Sequence, residues 1–301
     1  MTTELIRYPS TKKKSLGSKI RWTIFYIVLS VAAFAMVVPF IWMVLTSLKS
    51  PAEVNSFTWF PSELHWDNYV TAMTAAPFLD YFRNSFILAI SMTLLTLIFA
   101  TAAGYSLAKM PIPGKTYIMW YVIAMLMVPF QVVIVPLFLV VKSIPLFGGN
   151  DIFGQGGSGW LDSWWGLIVP LSMGPLFIFL SRQFFTSLPD ELGEAARIDG
   201  VTEYGIFARI MLPLVKPALV TITVFQLEAA WNSFLWPLIV TSSPDLRPLQ
   251  LGLAIFAQDE LNVQWNYLMA GATLATVPMI ILFIAAQKYF VQGLASSGLK
   301  G

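Results

Sequence analysis

The chain has 301 residues, of which 57% are hydrophobic and only 11% charged, with a mean hydropathy of +0.71. Soluble domains carry about 25% charged residues, so this composition belongs to a membrane protein. A net charge of +2 argues against nucleic acid as a partner, and the absence of cysteine excludes disulfides and thiolate chemistry.

A membrane helix needs about 20 apolar residues in succession. Runs of that kind predict six transmembrane helices, near 22–45, 84–108, 117–141, 164–185, 212–240 and 268–290, in an all-α integral membrane fold. Residues 1–21 read as a basic cytoplasmic arm suited to anionic headgroups, and 22–301 as the transmembrane domain. Ala33-Phe34-Ala35 imitates a cleavage site, but the apolar run continues through Trp42, too far for a signal peptide. The first run is therefore an uncleaved span.

The outer loop 46–83 carries Trp59, Trp66 and Tyr69, rings suited to the membrane surface. Between Gly148 and Trp165 the sequence GGNDIFGQGGSGWLDSWW has glycines but no Gly-Lys-Ser/Thr ending. It reads as a flexible external loop, not a phosphate cradle. Pro39, Pro129, Pro136, Pro170, Pro175, Pro237 and Pro278 fall inside the predicted spans, where each removes a backbone donor and can kink a helix. Glu228 is the one carboxylate well inside a span; insertion there costs about 2.5–3.5 kcal/mol, so it must face the bundle or a wet cavity.

Orientation follows from the cations. Of the 18 Lys and Arg residues, all but Lys49, Arg83, Lys142 and Arg247 fall on one side of the predicted spans. The positive-inside rule then puts both termini and the 186–211 loop in the cytoplasm.

That loop predicts two short helices. Ser187 can cap the first, beginning at Pro189, and Gly200 can end it in the left-handed conformation. The second runs from about Thr202 to Arg209. Asp190, Glu191, Glu194, Asp199 and Glu203 make the loop acidic, which an anionic leaflet repels. Ala195 and Ala196 permit close approach, while Glu194 and Arg197 offer oriented polar contacts. Docking to a soluble partner fits this chemistry better than lying on lipid.

The spacing of Glu194-Ala195-Ala196, Gly200, Ile210 and Leu212-Pro213 resembles the EAA loop of permease subunits in bacterial binding-protein-dependent ABC importers. In that family the segment is a coupling helix seated in a cleft of the ATPase subunit. The resemblance assigns ATPase coupling to Glu194, Ala195, Ala196, Gly200, Ile210, Leu212 and Pro213, with Asp199 completing an Asp-Gly pair and Val201 replacing a frequent alanine. The segment from Trp231 to Leu238, WNSFLWPL, and the tail from Gln287 to Gly301 are similar to the second, shorter-type permease of maltose-type carbohydrate importers, with Ser233 where an acid is common.

The resemblance implies a type I importer permease fold in the bacterial cytoplasmic membrane. It also implies a second, non-identical permease subunit, two ATP-binding subunits holding ATP and magnesium, and an extracytoplasmic sugar-binding protein. No Gly-x-x-x-x-Gly-Lys-Ser/Thr run occurs, so no nucleotide cofactor and no enzymatic activity are expected in this chain itself.

For the substrate path, Asn232 reads as a buried hydrogen-bonding group flanked by Trp231 and Trp236, with Glu228 and Gln131 as further candidates and Gln226 and Asn84 as weaker ones. The alternative places the two tryptophans in an aromatic belt and bonds Asn232 to another helix. An ion-coupled secondary transporter is the competing function, but it needs more intramembrane ionisable groups than Glu228. A membrane enzyme needs clustered catalytic groups, and the single histidine, His65, lies in an outer loop.

Overall fold

The computed structural model describes residues 16–56, 58–257 and 264–297. Most of the basic arm and the tail from Gly298 to Gly301 lie outside these. The described residues form helices and no strand: α1 (Leu16–Ser47), α2 (Asp67–Ala75), α3 (Phe78–Lys109), α4 (Lys115–Leu126), α5 (Phe130–Lys142), α6 (Trp164–Ile168) and α7 (Pro175–Thr186) come first. They are followed by α8 (Glu191–Ile198), α9 (Glu203–Gly205), a π-helical turn (Ile206–Met211), α10 (Leu212–Leu214), α11 (Lys216–Trp231), α12 (Leu235–Val240), α13 (Leu249–Ala257) and α14 (Trp265–Ser297).

Three helices are long and apolar enough to cross a membrane: Gly17–Ser47, Phe78–Lys109 and Trp265–Gln287. Two bent pairs raise the number to five if each counts as one span, α4 with α5 at 109° and Glu203–Leu214 with α11 at 82°. The expectation of unbroken third, fourth and fifth spans is therefore corrected. The third breaks before α5, the fourth between α6 and α7, and the fifth at Val215 and again between Trp231 and Leu235.

Proline explains where the breaks fall. A proline lacks the N–H that would bond four residues back, and its ring clashes with that carbonyl. Pro237 acts in this way on Ser233, and Pro170 on Gly166. Pro129 is itself extended, with φ −60° and ψ 137°, and Pro175 restarts α7 at its first turn. Pro39 and Pro278, in contrast, sit inside continuous helices.

The core is strung along α3. Its residues enter every buried apolar cluster: Phe78 and Tyr81 with Trp231 and Leu249, Leu88 and Met92 with Leu167 and Trp236, Ala100 with Phe177 and Ile222, and Tyr105 with Phe185 and Met211. Gly104 lets α7 close on α3, because a Cβ there would meet Ser181 Cβ at 2.5 Å. Small residues commonly permit such crossings between membrane helices.

The glycine-rich segment is not the flexible loop expected. Asn150 donates to the Lys142 and Ile144 carbonyls at 2.7 and 3.0 Å and accepts from the Gly157 amide. Asp151 accepts from the amides of Phe153 and Gln155. Asp162 accepts from the amides of Ser242 and Ser243 and from the Ser243 hydroxyl, tying the segment to the end of α12. Burial alone would raise the Asp162 pKa, but these donors hold it below the usual carboxylate range. Glycine is needed here for backbone reasons: Gly154 has φ +75°, and a Cβ would collide with the Ser143 carbonyl. Gly154→Ala is expected to cost about 1–3 kcal/mol, read as earlier thermal unfolding of the detergent-solubilised protein.

Candidate functional site

The acidic loop is built in two pieces that meet at Gly200. Asp190 occupies the N-cap position of α8, although its side chain makes no capping bond. Ser187, the expected cap, instead gives its hydroxyl to the Phe184 carbonyl at the end of α7. The helix consequently starts at Glu191. It ends as the sequence suggests, with Gly200 at φ +78°, its N–H on the Arg197 carbonyl and the Val201 N–H on the Ala196 carbonyl.

Thr202 then caps the second piece by accepting from the Gly205 amide at 3.2 Å. This run is longer than expected, and Leu212 and Pro213 belong to it instead of to the fifth span. Its π-helical turn, Ile206–Met211, contains Ile210. Such turns are rare and recur at functional sites.

The motif residues divide between two surfaces. Ala196 is buried among Tyr105, Phe185, Ile206 and Met211, and Ile210 and Leu212 pack at the edge of the same cluster. Glu194, Ala195, Asp199 and Gly200 are exposed, as is Pro213. Beside them Ile198 is 87% exposed and Tyr204 78%. A Cβ on Gly200 would meet nothing within 4 Å, so within this chain only its positive φ calls for glycine.

Two side chains at the end of α3 anchor this loop. Lys109, itself only 6% exposed, donates to the Leu188 carbonyl at 2.6 Å and pairs with Asp190. The Tyr105 hydroxyl donates to Glu203 at 3.2 Å, and Glu203 pairs with Arg197. The Lys109 hydrogen bond and charge hold Asp190 below the usual carboxylate range, while the Glu203 hydrogen bond raises Arg197. Sequence reasoning counted Lys109 only as an inner-face cation and did not single out Tyr105. A lysine closing an apolar run opposite an acidic loop was the available signal for the first; the second had none.

The expected path residues separate. Asn232 is exposed, not buried: it caps α11, donates to Glu228 Oε1 at 2.8 Å and accepts from Gln250 Nε2 at 3.3 Å. Glu228 is exposed as well, and Phe225, Glu228 and Asn232 share one face of α11 by their spacing. Trp231 points the other way. It is 3% exposed between Phe82 and Phe86 and donates to the Ala275 carbonyl at 3.1 Å. Trp236 is 1% exposed and donates to the Gly166 carbonyl. Neither indole is an interfacial belt residue or an open stacking platform.

Gln131 is exposed at the start of α5, and the hydrogen bonds of the Asn232 row do not include it. Gln226 is buried, as is Asn84, which donates to the carbonyls of Asp245 and Arg247 at 2.7 and 3.0 Å. Gln250 was missed because only the tertiary fold brings it to Asn232. Among the described residues no group of His, Asp or Glu could hold a metal ion.

Residues 100–296 match the family model described as binding-protein-dependent transport system inner membrane component. The arabinooligosaccharides transport system permease protein AraQ of Halalkalibacterium halodurans is 36% identical over 274 residues, covering 89% of this chain and 93% of that protein. The sulfoquinovosyl glycerol transport system permease protein SmoH of Agrobacterium fabrum is 34% identical over 268 residues, 87% of this chain and 88% of that one. A chain from the crystal structure of a bacterial ABC transporter that imports the acidic polysaccharide alginate superposes with a TM-score of 0.80 at 23% identity, over 93% of this chain and all of that one. A family match over most of the chain, relatives aligned nearly end to end and a shared fold lead to one conclusion: the chain belongs to the binding-protein-dependent inner membrane components and is a permease subunit of an ABC importer, not an enzyme.

Proposed function

We propose that this subunit forms half of the translocation path of an oligosaccharide importer and receives ATP-driven motion through the 186–211 loop. The observation that carries this reading is the exposed surface around left-handed Gly200. Glu194, Ala195, Ile198, Asp199 and Tyr204 project from a loop whose opposite side is fixed to the core. Exposed Ile198 and Tyr204, rimmed by acids, have the make-up of an interface centre with a polar rim.

In this reading the chain has six spans, with α6 and α7 together forming the fourth, and both termini and the loop face the cytoplasm. Two ATP-binding subunits hold ATP and magnesium. A second, non-identical permease completes the path, and an extracytoplasmic binding protein delivers the sugar. The AraQ and SmoH names support a glycan substrate. A related solved complex, superposing with a TM-score of 0.60, includes a periplasmic protein carrying an alginate pentasaccharide. Within the chain, the face bearing Phe225, Glu228, Asn232 and Gln250 is the candidate path lining. Trp231 is left out of this lining because it is buried, and Gln131, exposed at the start of α5, stays a separate candidate.

The loop can transmit force only if its seat holds. Closure of the ATPase pair pushes on Gly200 and its neighbours, and the Lys109 and Tyr105 anchors pass that displacement to α3. Each nucleotide state must favour one arrangement over the other for the coupling to work.

Two outcomes test this. Ile198→Asp is expected to weaken capture of the ATPase subunits about 30-fold or more, the scale of one interface hot spot of about 2 kcal/mol. Normal co-purification of the ATPase with that variant sinks the docking role. Because the folded-state pKa of Asp190 is lowered, its pairing stabilises the loop fully above the ordinary aspartate pKa and is lost as pH falls through the lowered value. Pepsin cleavage between Leu188 and Gly200 is thus expected to accelerate for the wild type only in strong acid, whereas Asp190→Asn, with no carboxyl to titrate there, is cut faster than the wild type at milder pH and shows no such acceleration from this pair.

A further inference from the structure

The polar face of α11 carries a charge that the path reading does not yet use. Asn232 Nδ2 donates to Glu228 Oε1 at 2.8 Å, and Gln250 Nε2 donates to Asn232 Oδ1 at 3.3 Å. These bonds leave a second carboxylate oxygen on Glu228, a second N–H on each amide and the carbonyl oxygen of Gln250 for further partners. Glu228 and Asn232 are exposed. The ion pairs among the described residues involve Asp67, Asp80, Asp190 and Glu203, and none involves Glu228.

A carboxylate directed into lipid is costly, so this face meets water, a polar partner or a polar ligand. The row alternates acceptors and donors in the manner that hydroxyl groups satisfy, since a hydroxyl both gives and takes a hydrogen bond. Phe225, one turn before Glu228, adds apolar surface for the C–H face of a sugar ring. A carboxylate, sulfate or phosphate has no proton to give Glu228 at neutral pH. It meets instead a like charge, which disfavours it.

The geometry points to Glu228, Asn232 and Gln250 as a hydroxyl-binding subsite that passes neutral glycans and rejects anionic ones. This inference rests on the reading that the α11 face lines the path. It assigns Glu228 as the specificity-determining group, Asn232 as the group that orients it, and Gln250 as the third arm of the row.

The test uses the complete importer, with its partner permease, ATPase subunits and binding protein, reconstituted in liposomes with ATP. Neutral di- to tetrasaccharides are compared with the same glycans oxidised to carry one C6 carboxylate, each at a concentration that saturates the binding protein. Assembly of each variant is checked by co-purification and basal ATPase activity. Wild-type import is expected to favour the neutral form at least about tenfold, the smaller end of a like-charge penalty. Glu228→Gln should shrink that preference by a similar factor, read as the ratio of carboxylated to neutral uptake whatever happens to either rate, and Glu228→Asp should restore it.

An unchanged preference in Glu228→Gln overturns the charge filter, and so does wild-type import of carboxylated glycans alone or of no neutral glycan. Asn232→Trp, which fills the row, separates this from the underlying reading. Wild-type neutral uptake by that variant removes the face from the path altogether, whereas blocked uptake in an assembled complex keeps it there.

Discussion

Hydrocarbon offers nothing to a backbone carbonyl that has lost its helical partner, so every break at membrane depth must be repaired from within the protein. The arrangement of this chain follows from how that repair is made. Pro170 denies Gly166 its usual donor, and the Trp236 indole supplies one. In the same break Ser172 gives its hydroxyl to the Ile168 carbonyl, while its own carbonyl accepts from Thr96 on α3. Trp231 donates to Ala275 close to Pro278 in α14. Polar side chains that look like ligand groups in the sequence are in several cases occupied with this work. These bonds tie α12 to α6, α11 to α14 and α3 to the break before α7, while apolar clusters gather the helices around α3.

The same economy shapes the inner loop. Ala196 and Gly193 face inward, and their small size lets α8 sit low on Met211 and Ile206. Glu194, Ala195, Asp199 and Gly200, their neighbours in sequence, face outward. One motif thus serves two surfaces at once. Lys109 and Tyr105, in the last turns of α3, bind the loop through polar contacts, and Tyr105 also packs in the apolar cluster beneath it.

What could be read from the sequence depended on the range of the interaction. Apolar runs, the Gly200 turn and the acidic loop are local features, and each was legible. The interruptions inside the third to fifth spans were marked by Pro129, Pro170 and Pro237. Yet proline alone does not separate a kink from a break, since Pro39 and Pro278 are absorbed within whole helices. The glycine-rich loop misled because glycine signals freedom in isolation; here Asn150 and Asp162 bind its backbone, and close packing is what selects glycine. The direction of Trp231 and Asn232, adjacent on α11 yet opposite in environment, depended on where α3 and α14 lie. Gln250 depended on the return of a chain segment 18 positions away.

The first helix has one more consequence. None of its apolar window is buried by the other described residues, and the element it lies against most is α14. Most of α1 therefore faces lipid or another subunit and not the core gathered around α3. The run from Trp22 to Ser47, which lacks any Asp, Glu, Lys or Arg, suits that exposure. What holds this helix along its length is lipid or a neighbouring subunit, with α14 as its main contact in the chain.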